Sequence, residues 1–164
     1  MKKSVFLRLI ALCLTMALLL CPFTAAATVA KEDALAAARK EIPSSCKLRE
    51  SEWDKNDKEW EFEFRTKDKK TDYDVTVNGE TGAVKKVEMD VRKPGKAKKY
   101  SITEKAAKKA VTRQFSGATI KKVKKATDDG RKVYKITFKA DGYKGSAEVN
   151  GKSGKLTEWE KIYT

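Results

Sequence analysis

Side chains suited to catalysis are few in this sequence. Its 164 residues contain no histidine, which removes the commonest general base and a frequent metal ligand. After residue 27 a single cysteine remains, Cys46, and the sequence shows no activating partner for it. Aspartates and glutamates are numerous, but they alternate with apolar residues, which is typical of the solvated face of a strand. We therefore predict that the protein is not an enzyme.

A metal site is also not expected. Residues Asp54 and Asn56 begin a polar turn that faintly resembles a calcium-binding loop. The turn has Lys58 where an acidic ligand is needed, and it lacks the following glycine and the distal glutamate. The sequence therefore predicts no metal and no cofactor.

Large aromatic and basic side chains are the remaining candidates for contact with a partner. Tryptophans anchor many interfaces, although a tryptophan more often packs in a core. Lysine dominates over arginine, and aromatic and basic residues do not interleave, so specific recognition of nucleic acid is not expected. The candidate partner-binding residues are Trp53, Trp60, Trp159, Lys121, Lys122, Lys124 and Lys125.

The positive charge is unevenly distributed along the chain. The whole sequence has a net charge of +14, but residues 28–91 carry 13 basic and 16 acidic side chains. Residues 92–99 add five positive charges, and residues 100–164 carry 16 basic against 7 acidic side chains. This asymmetry indicates an anionic partner for the second half, attraction between the halves, or a solvated lysine-rich surface.

The first 27 residues have the pattern of a secretory signal peptide. Lys2, Lys3 and Arg8 precede an apolar run at 9–20, and alanines at 25–27 form a cleavage site, with Ala30 as an alternative. An uncleaved anchor is less favoured because the run is short for a membrane span. Lipidation at Cys21 is not expected. We predict a secreted or surface-associated bacterial protein without a transmembrane span after cleavage, in which Cys46 is a buried thiol or an intermolecular one.

An internal repeat organises the rest of the chain. The stretch Asn78-Gly-Glu-Thr-Gly82 returns 72 residues later as Asn150-Gly-Lys-Ser-Gly154. Asn-Gly is typical of a tight type I′ hairpin turn, and the second glycine indicates another left-handed position. An alternating strand pattern from Trp60 and another from Tyr134 repeat at nearly the same spacing, as do the alanines of two helices. The sequence therefore predicts duplication of a whole unit.

Each unit has the pattern of one helix followed by about four short antiparallel strands. The helices are expected at 31–42 and from an N-cap at Thr103 to Ser116-Gly117. The fold class is therefore α+β, with two tandem small units, each with its own roughly four-stranded sheet. The predicted divisions are a signal peptide at 1–27, unit one at 28–91, an extended, solvated basic linker at 92–99 and unit two at 100–164.

The order of these motifs resembles the PepSY family. The features that carry the resemblance are an alanine-rich capped helix at 102–110, the strand Tyr134-Lys-Ile-Thr-Phe138, and the stretch from Val149 through Ser153-Gly154 to Leu156. The first unit matches more loosely, and Tyr143-Lys-Gly145-Ser departs from the aromatic pattern of the third strand. The resemblance implies an exported, non-catalytic module, and a peptidase-inhibiting or peptidase-regulating role has been proposed for this family.

Two functions from different classes follow. The first is a binding module, which inhibits or regulates an extracellular peptidase, or holds a peptide, through exposed sheet edges. The alternative is a cell-envelope protein that docks on an anionic polymer or membrane surface through residues 92–139. Binding that survives high salt favours the first function, and binding lost in salt favours the second.

Overall fold

The structure, a computed structural model, describes residues 28–164, so the predicted signal peptide lies outside the described residues. Two helices and eight strands follow in the order helix, four strands, helix, four strands. In the first half these are α1 (Lys31–Arg39), β1 (Lys47–Asp54), β2 (Glu59–Arg65), β3 (Thr71–Asn78) and β4 (Val84–Val91). In the second half they are α2 (Glu104–Gln114), β5 (Thr119–Asp128), β6 (Arg131–Ala140), β7 (Tyr143–Asn150) and β8 (Leu156–Tyr163).

All eight strands form one antiparallel sheet in the order β1-β2-β3-β4-β8-β7-β6-β5. The α+β class is confirmed, but the prediction of a separate four-stranded sheet in each unit is wrong. The last strand of each half pairs with that of the other, with Glu88 opposite Glu160. This pairing satisfies the backbone edge that β4 and β8 would each otherwise expose to solvent.

The two halves are related by an approximate twofold axis normal to the sheet. Lys86 lies opposite Ile162, and Asp90 lies opposite Glu158. Each residue in one of these pairs is 72 positions from a residue in the other, so the pairing is symmetric about Glu88 and Glu160. An axis normal to the sheet keeps both helices on the same face, where their buried residues join one hydrophobic core.

The core forms because apolar residues alternate with charged ones along the strands. Phe62 and Phe64 are fully buried, as are Ala34 and Ala38 of α1, whose small side chains let the helix approach the sheet closely. In the second half Phe115, at the end of α2, stacks on Phe138 with 4.5 Å between ring centroids. Burying one such aromatic side chain contributes about 1.5–3 kcal/mol.

Side chains from both halves also meet on the helix-covered face. The ring of Trp159 lies 6.1 Å from that of Tyr73 and 5.4 Å from that of Phe115. The Lys161 ammonium donates to a Glu41 carboxylate oxygen at 2.7 Å, and the Tyr163 hydroxyl donates to the same oxygen. Burial opposes ionisation of Glu41, but these hydrogen bonds outweigh it and lower its pKa.

The repeated Asn-Gly turns differ from the type I′ prediction. Neither Gly79 nor Gly151 has a positive φ, whereas Gly82 and Gly154 do. The Asn78 side chain accepts hydrogen bonds from the backbone of Glu80 and Thr81, which gives a longer loop. The backbone N–H of Asn78 donates to the Ala83 carbonyl at 2.8 Å and closes that loop. The type I′ prediction is therefore wrong, and the prediction for the second glycine is confirmed.

The basic linker at 92–99 packs against the second half rather than extending into solvent. Ala97 is 1% exposed, and its carbonyl accepts a hydrogen bond from the backbone of Lys132 at 2.6 Å. The Asn150 amide donates to the Pro94 carbonyl at 3.2 Å. A short linker that meets an exposed carbonyl and an N–H group satisfies its own backbone there.

Candidate interaction face

The face of the sheet opposite the helices, which we call the open face, carries most of the unusual chemistry. Strand pairing aligns one row of side chains across all eight strands. Five consecutive positions in this row are carboxylates, and the row ends on a lysine at the far edge. In sheet order the row is Glu50, Glu63, Asp74, Glu88, Glu160, Ser146, Thr137 and Lys122.

A shallow groove of about 350 Å³ lies on the first half of the open face. Its walls are mostly glutamate and aspartate side chains from β1, β2, β3 and β4, and we call it the acidic groove. The polar residues that line it are Glu50, Glu52, Glu61, Glu63, Asp74, Thr76, Lys86 and Glu88.

A second groove of about 330 Å³ lies on the second half of the same face. Three lysines form its outer wall, and we call it the basic groove. Two glutamates lie on its inner side, toward the middle of the sheet. The polar residues that line it are Lys122, Lys124, Lys135, Thr137, Ser146, Glu148 and Glu158.

The two grooves occupy equivalent places in the repeat, but their charges are opposite. The β-bulges of β1 and β5 also fall 72 residues apart, between Leu48 and Glu50 and between Ile120 and Lys122. Glu50 and Glu52 therefore correspond to Lys122 and Lys124. In the same way Glu61 corresponds to Lys135, and Lys86 corresponds to Glu158. Duplication has kept the backbone shape of the groove while its charge has been inverted.

Crowding of like charges is electrostatically unfavourable on the acidic side. Burial, with Glu63 and Glu88 on the neighbouring strands, raises the pKa of Asp74 to about 6. Burial and the nearby Glu148 and Asp90 also raise the pKa of Glu158. Carboxylates in this setting are held at a cost in free energy.

Glu148 is the most buried charged group of the open face, at 4% exposure. The Thr157 hydroxyl donates to its Oε1 atom at 2.9 Å. Arg131 and Lys135 lie 3.9 and 3.7 Å from its two carboxylate oxygens, but within the protein no hydrogen bond reaches Oε2. The basic groove thus contains a buried carboxylate that two cations partly neutralise.

The sheet also has two free edges. Strand β1 pairs only with β2, and strand β5 pairs only with β6. Strand β5 has ten residues, four of which are lysines. An edge strand presents unpaired N–H and C=O groups to solvent, and lysine is a common means of discouraging unwanted pairing there.

The predicted tryptophan sites lie on the helix-covered side and serve the core. Trp159 is 5% exposed, and Trp53 and Trp60 pack on each other with 5.1 Å between ring centroids. The indole N–H of Trp60 donates to the Val29 carbonyl at 3.1 Å. Core packing was the favoured role for these residues, and the structure places them accordingly.

The predicted lysines divide between the two faces of β5. Lys122 and Lys124 line the basic groove, and Lys121, the extra residue of the bulge, faces the same side beside Lys139 and Lys144. Lys125 lies on the other face, with its ammonium 5.0 Å from the ring of Tyr100.

Sequence reasoning did not identify the acidic groove. The available signal was the alternation in Trp60-Glu-Phe-Glu-Phe64, which places its glutamates together on one face. Those glutamates form a groove only because β1, β3 and β4 bring further carboxylates to the same rows.

Within residues 28–164, no group of three or more acidic or cysteine side chains has the geometry to hold a metal ion. Cys46 is buried, and this burial raises the pKa of its thiol. In the described part of the chain, no helix is both long and apolar enough to cross a bilayer.

Comparison with known families bears on these observations. The family described as Peptidase propeptide and YPEB domain, or PepSY, matches residues 28–88 and again residues 101–160. The chain belongs to the PepSY family. The two matches fall on the two halves of the sheet and confirm the tandem arrangement, while the boundaries at 91 and 100 stay predictions. None of the curated proteins matches this PepSY chain.

Several solved structures share part of the fold at low identity. The YpeB C-terminal domain of Bacillus megaterium is 17% identical, covers 83% of this chain and 66% of its own, and has a TM-score of 0.33. A cysteine-rich secretory protein from Staphylococcus aureus is 14% identical, covers 83% and 44%, and has a TM-score of 0.37. A DUF2874 family protein from Bacteroides uniformis is 14% identical, covers 80% and 89%, and has a TM-score of 0.31. The PepSY assignment rests on the sequence match alone.

Proposed function

We propose that this PepSY protein is an exported, non-catalytic binding module that regulates or inhibits a peptidase by holding an extended segment of it along strand β5. The observation that carries the proposal is the free edge of β5, which is ten residues long. An extended peptide can add to such an edge through backbone hydrogen bonds, and its alternate side chains then contact the flanking surface.

The side chains around this edge define the chemistry of the segment. Lys121, Lys122 and Lys124 are exposed on the open-face side of β5, and Lys125 lies on the other. A bound strand would therefore have lysines beside it on both faces. Acidic side chains on the peptide would match them, so the segment we propose is extended and acidic.

The non-catalytic part of the proposal is supported by chemistry. The sequence has no histidine, and the thiol of Cys46 is buried with a raised pKa, which disfavours the nucleophilic thiolate. Export is supported by the leader-like residues 1–27, which lie outside the described part.

The experiment is retention of proteins from the organism's own culture medium on immobilised residues 28–164, at low and high salt. We expect a peptidase to be retained at both salt concentrations and its activity to fall at micromolar concentrations of the module. Hydrogen exchange at β5 amides should slow in the complex, with the opposite edge strand β1 as an internal control. No retained peptidase, or protection outside β5, would exclude this function.

A second candidate is docking on an anionic polymer or lipid surface, and the lysines of the basic groove and the adjacent Lys139 and Lys144 favour it. Such binding should weaken steeply with salt. Replacing Lys122 and Lys124 with alanine should weaken binding to phosphatidylglycerol vesicles. The same change at Lys105 and Lys109, exposed on α2, should not. Equal effects of the two pairs would refute a specific basic surface.

A further inference from the structure

The charges of the open face are largely unneutralised within the chain. In the described residues, Glu50, Glu52 and Glu61 form no salt bridge, and neither do Lys122 and Lys124. These charges belong to two grooves of the same backbone shape and opposite sign. The chain therefore carries both members of a complementary pair on one surface.

We propose that the open face docks on the open face of a second copy of this chain, with the acidic groove of each copy over the basic groove of the other. A twofold axis between the two faces, parallel to the strands, produces this arrangement. It reverses the order of strands across the sheet, so β1 to β4 of one copy cover β8 to β5 of its partner. Each acid-to-base contact then occurs twice.

The size of the open face fits a stable dimer. Eight strands spaced about 4.8 Å apart, each about 26 Å long, give a face of roughly 34 by 26 Å. This is about 880 Å² before side-chain relief is counted. A standard specific interface buries about 800 Å² on each partner. The face is therefore large enough without any contribution from the helices or the sheet edges.

Complementary charge is the reason for choosing a second copy as the occupant. Glu50 and Glu52 correspond by the repeat to Lys122 and Lys124, so the face-to-face arrangement brings these particular side chains together. A partner of uniform charge would be repelled by one groove or the other. Charge complementarity of this kind sets the register and the orientation of a contact.

The middle of the face opposes the association. Glu88 and Glu160 lie on the axis of the sheet and would meet the same two residues of the second copy. Lys86, whose ammonium is 2.8 Å from Glu88, offsets part of this charge. Replacing Glu160 with glutamine should therefore strengthen the dimer, which is the opposite of its expected effect in an unrelated interface.

The test is sedimentation equilibrium of residues 28–164 in reducing buffer, which removes any disulfide through Cys46. We expect a dimer at low salt that dissociates as salt is raised. E50K/E52K and K122E/K124E should each weaken the dimer about tenfold or more. An equimolar mixture of the two variants should restore it, because each acid-to-base contact is then re-formed with its charges exchanged or intact.

The control is K105E/K109E, a double reversal on the outer surface of α2 that should leave the dimer unchanged. A monomer at low salt would overturn the proposal. So would a dimer that the control weakens equally, or a mixture of the groove variants that does not reassociate. These outcomes are distinct from those of the peptidase experiment, which depends on the β5 edge.

Discussion

Asp74 is a single residue on which the electrostatics of the open face are concentrated. It stands between Glu63 on β2 and Glu88 on β4 in the row of carboxylates. Its position is fixed by register, because moving β3 by one residue would put Val75 on the charged face and Asp74 in the core. The carboxylate is thus retained at a site where its charge is unfavourable.

Replacing Asp74 with asparagine should raise the free energy of unfolding at pH 7 by about 1 kcal/mol, after allowance for solvent screening. Its folded pKa of about 6 exceeds the unfolded value of 3.8, so its contribution to stability is lost as pH rises from about 4 through 6. Urea denaturation of parent and variant at matched pH values measures the difference. The gain should vanish near pH 4, and D57N in the exposed turn after β1 should show no such dependence.

Two further residues, Gly79 and Gly151, are required for close packing rather than for an unusual φ. A Cβ atom on Gly79 would lie 2.3 Å from the ring of Trp53 and 2.7 Å from the Lys58 carbonyl. On Gly151 it would lie 2.6 Å from the Lys132 carbonyl and 2.8 Å from Tyr100. The Asn-Gly sequence is therefore repeated because each turn is pressed against the preceding hairpin.

Gly79→Ala and Gly151→Ala should each destabilise the protein by about 1–3 kcal/mol through overpacking. Thermal denaturation monitored by circular dichroism is a sufficient measurement. Gly130→Asn is the matched control, because Gly130 has a positive φ with no atom within 4 Å of an added Cβ and asparagine tolerates that conformation. If alanine at 79 and 151 costs no more than this control, the packing explanation is wrong.

At the scale of elements, the two helices have the same role but different N-termini. The predicted cap is confirmed in α2, where the backbone N–H of Ala106 donates to the Thr103 hydroxyl at 3.2 Å. Helix α1 begins after Ala30, which has no side chain able to cap it. The extended backbone of both capping residues is suitable for a serine or threonine.

Thr103→Ala should cost about 1 kcal/mol of stability, and Ala30→Ser should add up to a similar amount. The two changes are matched, because one removes a cap hydroxyl and the other supplies it at the equivalent place in the repeat. Urea denaturation of both variants checks the signs. A destabilising Ala30→Ser variant would show that the N-terminus of α1 is held by the backbone contact between Val29 and Gly79 instead.

Most elements could be predicted from the sequence because their signals are local. Alternation identified the strand at Trp60, and Thr103 with Gly117 bounded the second helix. The turn at Asn78 was assigned to the wrong type because Asn-Gly also suits a loop that needs glycine for close approach. The acidic groove was missed because its carboxylates come from several strands, and their alignment depends on register between strands.

At the scale of the whole molecule, the joining of β4 to β8 had no local signal. Each strand alternates like the others, and nothing in either sequence distinguishes pairing with its neighbour from pairing with the other half. The choice is made by the whole assembly, because it closes two open edges at once. It also brings Trp159 against Tyr73 and the Lys161 ammonium against Glu41.

A shared sheet and core predict that the two halves unfold together, although the sequence repeat divides them. Trp53 and Trp60 report on the first half and Trp159 on the second, so W159F and W53F/W60F each leave fluorescence in one half only. For each variant, the urea transition seen by tryptophan fluorescence should coincide with that seen by far-ultraviolet circular dichroism of the whole chain. Two separated transitions in either variant would show that the halves fold as independent domains. The β4–β8 pairing would then contribute little to stability, despite the buried aromatic contacts that accompany it.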